Sequence, residues 1–405
     1  MRKSYKELEK LKAKLGVDTL WSWSRINAWH NSKYVWYLTY MTDEKPTLFN
    51  IYSELGASVH DVLEKLYSNE IEYKDMNDVF DGLWMSMYDI KGLRFNRNDE
   101  DKDKKLAIKY KKDITNFLST HKQINSPHKL EQFLLIKIRD DIYLNGYADI
   151  IFKDGEDYIV GDWKTSTIYK GDKALNEAGQ LVMYAIGLHQ MKNIPFEHIK
   201  IRWNFLKYVK VTFTQNNGKV KTREIERCDL CDKIKNNVKT VMKRIGYDPM
   251  EADEYIIKMI TDNDINVLPE DVLNEFTFDD CWVEVELTDE LIEKWVTYVK
   301  DTVDDINQRI KKFNEDKDDH IFYDSDEDLE KQSYFLGVLS GFNLDQNKCY
   351  KEYLERVEKD KNNDLLDTHI ESVNNVDEDI DNEDHKKEKV ISADDSFIDS
   401  ILADI

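Results

Sequence analysis

Cysteine is scarce in this chain, which has four in 405 residues: Cys228, Cys231, Cys281 and Cys349. So few cysteines in so long a chain do not make the disulfide framework of a small secreted protein. Cys228 and Cys231 form a C-x-x-C pair that could be half of a zinc site, but the sequence offers no matching second half. The pair opens a predicted helix, and this spacing favours two buried thiols.

Long apolar runs are also missing. The first six residues lead into a charged helical segment, without the apolar core of a secretory signal. No uninterrupted apolar stretch reaches the length that spans a membrane. These absences argue against export and membrane insertion, and we expect a cytoplasmic protein.

Positive charge is in deficit, with 58 lysines and arginines against 81 aspartates and glutamates and a net charge of −23. Residues 357–405 contain 16 acidic and 5 basic residues, so this tail carries −11 of that charge. The body of the chain is still acidic. A polyanionic ligand would therefore need a local basic groove and metal ions, and its binding should weaken at high salt.

Apolar side chains are nevertheless plentiful. Hydrophobic residues make up 41% of the chain and aromatic residues 12%, enough for one large domain or two ordinary ones. Apolar strands alternate with amphipathic helices, which predicts an α/β fold with a central mixed β-sheet flanked by helices. A charged helical insertion at about residues 70–125 and a disordered acidic C-terminal tail complete the expected architecture.

The most informative stretch is residues 143–165, which reads as two strands joined by a turn at Asp154-Gly155. Asp149, Asp162 and Lys164 lie at the strand ends among apolar neighbours, where unpaired charge is costly. Two converging carboxylates with a lysine nearby suit a hard divalent cation and a phosphate. The alternative is a surface hairpin with solvated charges, and we favour the metal site.

Three further segments stand in a fixed order around this hairpin, which itself carries two motifs. GASVHDVLE occupies residues 56–64, Glu131 lies in the apolar strand 130–138, and QLVMY occupies residues 180–184; within the hairpin are GYAD at 146–149 and DWKT at 162–165. In this order they resemble the RecB-like and AddB-like exonuclease branch of the PD-(D/E)XK nuclease superfamily. Each motif alone is a weak signal, and the order makes the resemblance specific.

The resemblance implies a restriction-endonuclease-like core and a divalent-metal-dependent deoxyribonuclease. It implies Mg²⁺ or Mn²⁺ bound by His60, Asp149, Asp162 and the carbonyl of Trp163, with Asp149, Asp162 and Lys164 as catalytic residues. It also implies residues that contact the substrate or support the metal ligands: Glu131, Thr165, Gln180, Tyr184 and Arg25. The substrate would be DNA ends or single strands, in recombination, repair or replication in a bacterial or phage-infected cell.

Two of these residues have ordinary alternatives. A lone histidine beside an apolar helix face, as at His60, is more often a packed core residue than a metal ligand; the ordered motifs favour the ligand. Arg25 lies among the aromatic residues of segment 21–37, which resembles the S-x-S-R-I opening of RecB-like domains. That segment suits bases stacked over a phosphate-binding surface, or equally an amphipathic helix that packs its aromatics into the core.

Iron–sulfur members of this branch have a cysteine near positions 31–33 and a cysteine cluster downstream. Here Asn31, Ser32 and Lys33 occupy the first place, and only Cys349 remains in the second. Four cysteine ligands cannot be assembled in that pattern, so we expect no iron–sulfur cluster.

We therefore expect a nuclease domain over residues 1–355, with its catalytic core at about 50–215. The charged insertion would cap the sheet, either lining a strand channel with lysines or simply presenting a solvated face. Residues 356–392 would form an acidic linker, and 393–405 a docking peptide for a protein partner. That peptide carries apolar residues at helical spacing: Phe397, Ile398, Ile401 and Leu402.

Two other classes of function stay open at this point. The chain could be a catalytically silent DNA-binding scaffold, or an adaptor recruited through its tail. The intact Asp149, Asp162 and Lys164 argue against the silent scaffold.

Overall fold

The computed structural model describes residues 2–374, with side chains as far as residue 361. This part of the chain divides into two compact units. The first holds residues 2–23 and 51–300, and the second holds residues 24–50 and 301–374. The docking peptide at 393–405 lies outside the described residues.

The first unit is built on a seven-stranded sheet. Its strands, in chain order, are β1 Leu20–Trp21, β2 His128–Arg139, β3 Ile142–Asp154, β4 Asp157–Lys164, β5 Ile199–Thr214, β6 Val220–Glu226 and β7 Phe276–Val285. The order is β1-β3-β4-β5-β6, with β2 also paired to β3 and β7 to β5. The β1–β3 and β4–β5 pairs are parallel and the others antiparallel, which confirms the predicted mixed sheet flanked by helices.

Fourteen α-helices surround this sheet or build the second unit within residues 2–374. They are α1 Tyr5–Leu15, α2 Trp23–Asn31, α3 Lys33–Met41, α4 Ile51–Tyr67, α5 Met76–Trp84, α6 Glu100–Thr120, α7 Asp172–Glu177, α8 Gly179–Lys192, α9 Leu230–Ile245, α10 Pro249–Asp262, α11 Glu270–Leu273, α12 Asp289–Asp316, α13 Asp326–Lys331 and α14 Lys348–Asn374. Helix α14 extends into the expected linker, because its first half is rich in the strong helix formers Glu and Lys. None of the described helices combines the length and apolar character needed to cross a bilayer.

The β3–β4 hairpin forms where the sequence predicts it. Asp154 pairs with Asp157 across the turn, and Gly155 takes the left-handed conformation (φ 64°) that the tight turn requires. Ile150 and Ile159 from the two strands are fully buried in the core.

Helix α4 packs its apolar face against this hairpin. Val59, Val62 and Leu63 lie in one buried cluster with Ile150 and Trp163. Helices α5 and α6 complete the cluster, so the predicted charged insertion is helical but contributes a buried face. Its helical run is interrupted by a π-helical turn at Met85–Ile90 and a connection to α6.

The sequence pattern predicts one helix over residues 174–191, but the structure breaks it at Ala178 into α7 and α8. Gly179 lies against the ring of Trp23: a Cβ there would come within 2.0 Å of Cη2. The ring of Trp23 therefore leaves no room for a side chain at the first residue of α8, a constraint set by a residue far away in sequence.

The second unit is held by an aromatic core. Trp29, Tyr34 and Trp36 are at most 2% exposed, and Tyr37 stacks on Phe322 with ring centroids 4.8 Å apart. Core packing, rather than an open stacking surface, therefore describes these aromatic residues of segment 21–37.

Candidate active site

The two predicted carboxylates face each other where the β3–β4 hairpin opens. The paired register runs as far as Ile150 and Gly161, so Asp149 and Asp162 are the next residues on each strand. Asp149 Oδ2 accepts a hydrogen bond from the Trp163 amide at 2.9 Å. Lys164 Nζ lies 3.1 Å from Asp162 Oδ2. One hairpin thus supplies two buried carboxylates and an ammonium group.

His60 reaches the same place from helix α4. Its Nε2 lies 2.9 Å from the carbonyl oxygen of Trp163, and its Nδ1 lies 3.7 Å from Asp149 Oδ2. The structure therefore brings together all four groups expected to bind metal. Packing of the apolar face of α4 on the hairpin positions the ring, so the core residues beside His60 are what aim it at the site.

Burial and the closeness of two carboxylates disfavour negative charge at this site. Burial raises the pKa of Asp149 to about 6, His60 opposes the shift, and Asp162 adds to it. Burial also disfavours the charge on Lys164, but Asp162 and Asp149 outweigh it and raise the pKa of that lysine. A cation between the carboxylates would relieve their repulsion.

The donor set fits a hard divalent cation. Asp162 Oδ2 is buried and makes no hydrogen bond of good geometry, although Lys164 lies nearby as its charge partner. Carboxylate and carbonyl oxygens with one imidazole are ligands that Mg²⁺ or Mn²⁺ accepts. The residues present would hold such an ion.

Helix α8 adds a second layer of contacts behind Lys164. Gln180 Oε1 lies 3.5 Å from Lys164 Nζ, and Gln180 Nε2 donates to the Tyr184 hydroxyl at 3.2 Å. Burial raises the pKa of Tyr184, which therefore stays protonated. Gly146 makes room for this tyrosine, since a Cβ at that position would lie 2.5 Å from its ring. Packing thus explains the glycine of the GYAD motif.

Thr165 follows Lys164 and lies beside helix α4. Its Oγ1 is 3.8 Å from the place a Gly56 Cβ would occupy. The threonine therefore borders the site on the α4 side, without a described hydrogen bond that would define its role.

Glu131 lies on β2 opposite Asp149 on β3, between Leu130 and Gln132, which pair with Ile150 and Ala148. Its backbone is left-handed (φ 44°), a strained conformation for a glutamate inside a strand. Its side chain accepts a 2.7 Å hydrogen bond from Arg2 Nε. No local sequence pattern points to Arg2, because its partner lies 129 positions away.

Glu64 also belongs to this neighbourhood. Burial raises its pKa, and Glu131 raises it further while Arg2 and His60 oppose the shift. It lies one helical turn after His60 and adds an acidic group on the α4 side of the site.

Arg25 belongs to the second unit. Its guanidinium lies over the rings of Trp36 and Tyr40, 5.3 and 4.8 Å from their centroids. Burial lowers its pKa. Its expected contact with substrate remains a prediction.

A separate polar cluster lies within the first unit, where Asp113, Glu226 and Cys228 bring possible ligand atoms within 4.8 Å of one another. Lys109 Nζ and Lys207 Nζ lie 2.9 and 3.7 Å from Glu226. Two ammonium groups already balance two carboxylates, so a metal ion has no charge to compensate there. Cys228 and Cys231 are both buried free thiols.

Comparison with known proteins gives one match. The family model of the PD-(D/E)XK nuclease superfamily matches residues 20–256, which include both hairpin carboxylates, Lys164, His60 and the QLVMY helix. Neither the curated proteins nor the solved structures contain a match to the chain. Since the matched region covers more than half of the chain and carries the whole candidate site, this protein belongs to the PD-(D/E)XK nuclease superfamily.

Proposed function

We propose that the protein is a divalent-metal-dependent deoxyribonuclease that hydrolyses DNA phosphodiesters, acting as an exonuclease on ends or single strands. The observation that carries the proposal is the convergence of Asp149, Asp162, Lys164 and His60 at the open end of one hairpin. Superfamily members are generally metal-dependent nucleases, which supports hydrolysis as the chemistry. The resemblance to RecB-like exonucleases supports action on ends, in recombination, repair or replication.

Asp149, Asp162, the Trp163 carbonyl and His60 would hold Mg²⁺ or Mn²⁺. When bound, the ion would polarise the scissile phosphate and lower the pKa of bound water. Asp149 must be ionised for this role. Because its pKa is raised to about 6, the metal-free site must first release the Asp149 proton when the pH is below that value. With Nε2 donating to the Trp163 carbonyl, a neutral His60 ring would carry its lone pair on Nδ1, 3.7 Å from Asp149 Oδ2.

Lys164 stays protonated and is placed to act on the reacting phosphate. Its ammonium would orient the attacking water or neutralise charge that develops on the phosphoryl oxygens. Gln180, fixed in turn by Tyr184, would hold the lysine in that position. Glu131 would orient a water molecule on the opposite side of Asp149, and Thr165 would border the substrate.

The test is a digestion time course on labelled linear, circular and single-stranded DNA, with Mg²⁺, with Mn²⁺ and with chelator. Asp162→Asn and Lys164→Ala should each lower the rate by at least about 100-fold. Asp154→Asn is the matched control, because this exposed residue lies at the turn of the same hairpin. Full cleavage by either site variant, or cleavage in chelator, would overturn the proposal. The 5′ and 3′ labels distinguish polarity, and the circular substrate distinguishes exonuclease from endonuclease.

The role of His60 has its own test. If His60 is a metal ligand, His60→Ala should weaken cleavage most at low metal and recover partly at high Mn²⁺. A variant that melts at a lower temperature but keeps the wild-type metal dependence would show that His60 only packs.

A further inference from the structure

The first residues of the chain are anchored at the rim of the candidate site. Arg2 bonds to Glu131 and lies over the ring of Tyr147, 5.6 Å from its centroid. The Lys3 amide donates to the Tyr147 hydroxyl, and its ammonium lies 4.9 Å from the Phe133 ring centroid. Both anchors sit on strands β2 and β3, which carry Glu131 and Asp149.

Arg2 bonds to Glu131 through Nε, but its side chain remains 71% exposed. Its pKa is raised by the bond to Glu131 and, at longer range, by Glu64 and Asp149. A guanidinium held in this way keeps its two terminal amino groups available beside the metal-binding carboxylates.

Helix α1 continues from this anchor with a basic stripe. Lys6, Lys10 and Lys14 stand four residues apart, so they share one face, and all three are exposed. The acidic residues of α1 are engaged elsewhere: Glu7 bonds to Ser4 and Glu9 to Lys12. Within the described part of the chain, the three stripe lysines form no ion pair.

A solvated face is the ordinary explanation of such a stripe, and two observations argue against it. Like charges four residues apart weaken a helix, and α1 has no buried side chain to compensate. The protein is strongly acidic overall, yet no carboxylate of the described residues forms an ion pair with these three lysines. An external polyanion would resolve both.

Tyr5 identifies which polyanion fits. It stands between Arg2 and Lys6 and is 79% exposed, so its ring is free to stack. Stacking on a lone aromatic side chain needs an unpaired base, which only a single strand presents.

We propose that residues 2–14, the basic arm, bind the backbone of a single DNA strand and lead it to the candidate site. Lys6, Lys10 and Lys14 contact successive phosphates, Tyr5 stacks on a base, and Arg2 holds the phosphate nearest the carboxylates. This inference rests on the proposed nuclease function for its substrate, and it adds the path by which that substrate enters.

The experiment measures binding of fluorescent oligo(dT) by anisotropy, in EDTA so that no cleavage occurs, from 50 to 200 mM salt. The arm variant is Lys6→Gln/Lys10→Gln/Lys14→Gln. The control is Lys219→Gln/Lys221→Gln/Lys258→Gln, which removes the same charge from exposed lysines on other elements. Far-UV circular dichroism confirms that both variants stay folded.

The arm variant should flatten the slope of log affinity against log salt by about 2, since each single-strand phosphate contact contributes about 0.7. The affinity deficit of the arm variant relative to wild type should then shrink by about 16-fold between 50 and 200 mM salt. Tyr5→Ala should weaken single-strand binding without changing the slope. In cleavage assays the arm variant should raise KM and leave kcat near wild type.

An equal loss in the control variant would show a net-charge effect and overturn the inference. So would an unchanged slope, or an equal effect on duplex DNA. If binding depends on the arm but the protein cleaves no DNA, the proposed nuclease function is refuted and the inference about the basic arm is kept. If cleavage is normal but binding does not depend on the arm, the inference about the arm is refuted and the proposed function is kept.

Discussion

Gly146 and Tyr184 fit each other so closely that one methyl group should disturb the site. In Gly146→Ala the new Cβ would lie 2.5 Å from the tyrosine ring. Overpacking of this kind costs about 1–3 kcal/mol, and displacement of Tyr184 would release Gln180 and slow cleavage. Urea denaturation and the cleavage rate measure the two effects.

Gly56→Ala is the control for that substitution. Gly56 lies inside helix α4, and its nearest neighbour, Thr165 Oγ1, would be 3.8 Å from the new Cβ. The same methyl group should here be neutral or stabilise by up to about 1 kcal/mol, because alanine favours helix. An equal loss in both variants would show that glycine is needed for backbone reasons and not for the tyrosine.

Asp113 should make the protein less stable as the pH rises towards neutrality. Burial, with the Glu226 charge, raises its pKa to about 7. Between about pH 4 and 7 the folded state therefore binds this proton more tightly than the unfolded state. The free energy of unfolding falls across that window by at most about 1.4 kcal/mol per pH unit, and levels off above it.

Asp113→Asn removes this titration. Denaturation series from pH 4.5 to 8 should show the variant gaining on wild type as the pH rises. Asp101→Asn, an exposed position on the same helix, should run parallel to wild type. A constant difference between Asp113→Asn and wild type across the series would contradict the assignment.

Among individual residues, those in the motifs could be predicted from the sequence, but the contacts that hold them in place could not. His60, Asp149, Asp162 and Lys164 could be picked out because each lies in a short pattern of fixed spacing. The strained backbone of Glu131 and its bond to Arg2 depend on β2 pairing with β3 and on a contact across 129 positions. No local pattern records such a contact.

Among the elements, strand β7 is tied to the sheet by a buried charge network. Arg227 Nη2 donates to Asp280 at 3.0 Å, and His121 Nδ1 lies 3.1 Å from the same carboxylate. Arg227 also donates to the Leu206 carbonyl and the Thr120 hydroxyl. The network joins α6, β5 and β7 at the point where β5 and β7 lose their register.

Asp280→Ala should therefore destabilise by about 3–5 kcal/mol, because it leaves the buried Arg227 charge without a partner. Asp279→Ala removes the neighbouring, exposed carboxylate, whose lysine partner is 3.8 Å away, and should cost about 0–1 kcal/mol. Thermal and urea denaturation provide the comparison. Similar costs for the two variants would show that the network contributes little.

Element types were predicted better than element ends. The sequence predicts a strand over residues 199–214, and β5 has these bounds, since its apolar run is long and its hairpin turn is an Asn-Gly pair. The sequence also predicts a strand from residue 282, but β7 begins earlier, at Phe276, because its first half carries charged residues and forms a strand by pairing with β5. The packing of Trp23 against the first residue of α8 is a constraint that periodicity does not report.

For the whole molecule, the expected role of the tail remains to be tested. If residues 393–405 form a partner-docking peptide, their deletion should leave cleavage of naked DNA intact. It should abolish binding of a replication or recombination partner, for which micromolar affinity, about −8 kcal/mol, is expected. Cleavage and melting temperature of the truncated protein serve as controls. A large drop in melting temperature would show that the segment packs on its own body.

The two-unit division could not be seen in the sequence. Each unit is assembled from separated stretches, with residues 24–50 and 301–374 forming the second. Composition changes sharply only towards the acidic tail, so no linker marks the crossings between the units.

The hairpin that carries the carboxylates also sets an order of assembly during folding. Trp163 and Asp149 are 14 positions apart, whereas His60 reaches Trp163 across 103 positions and Arg202 reaches Glu284 across 82. Short loops close first, on about the microsecond scale of isolated hairpins, and distant contacts wait for larger losses of chain entropy. The two carboxylates should therefore meet before the histidine arrives and before β7 closes the sheet. In pulse-labelling hydrogen exchange, the amides of β3 and β4 should gain protection ahead of those in α4 and β7.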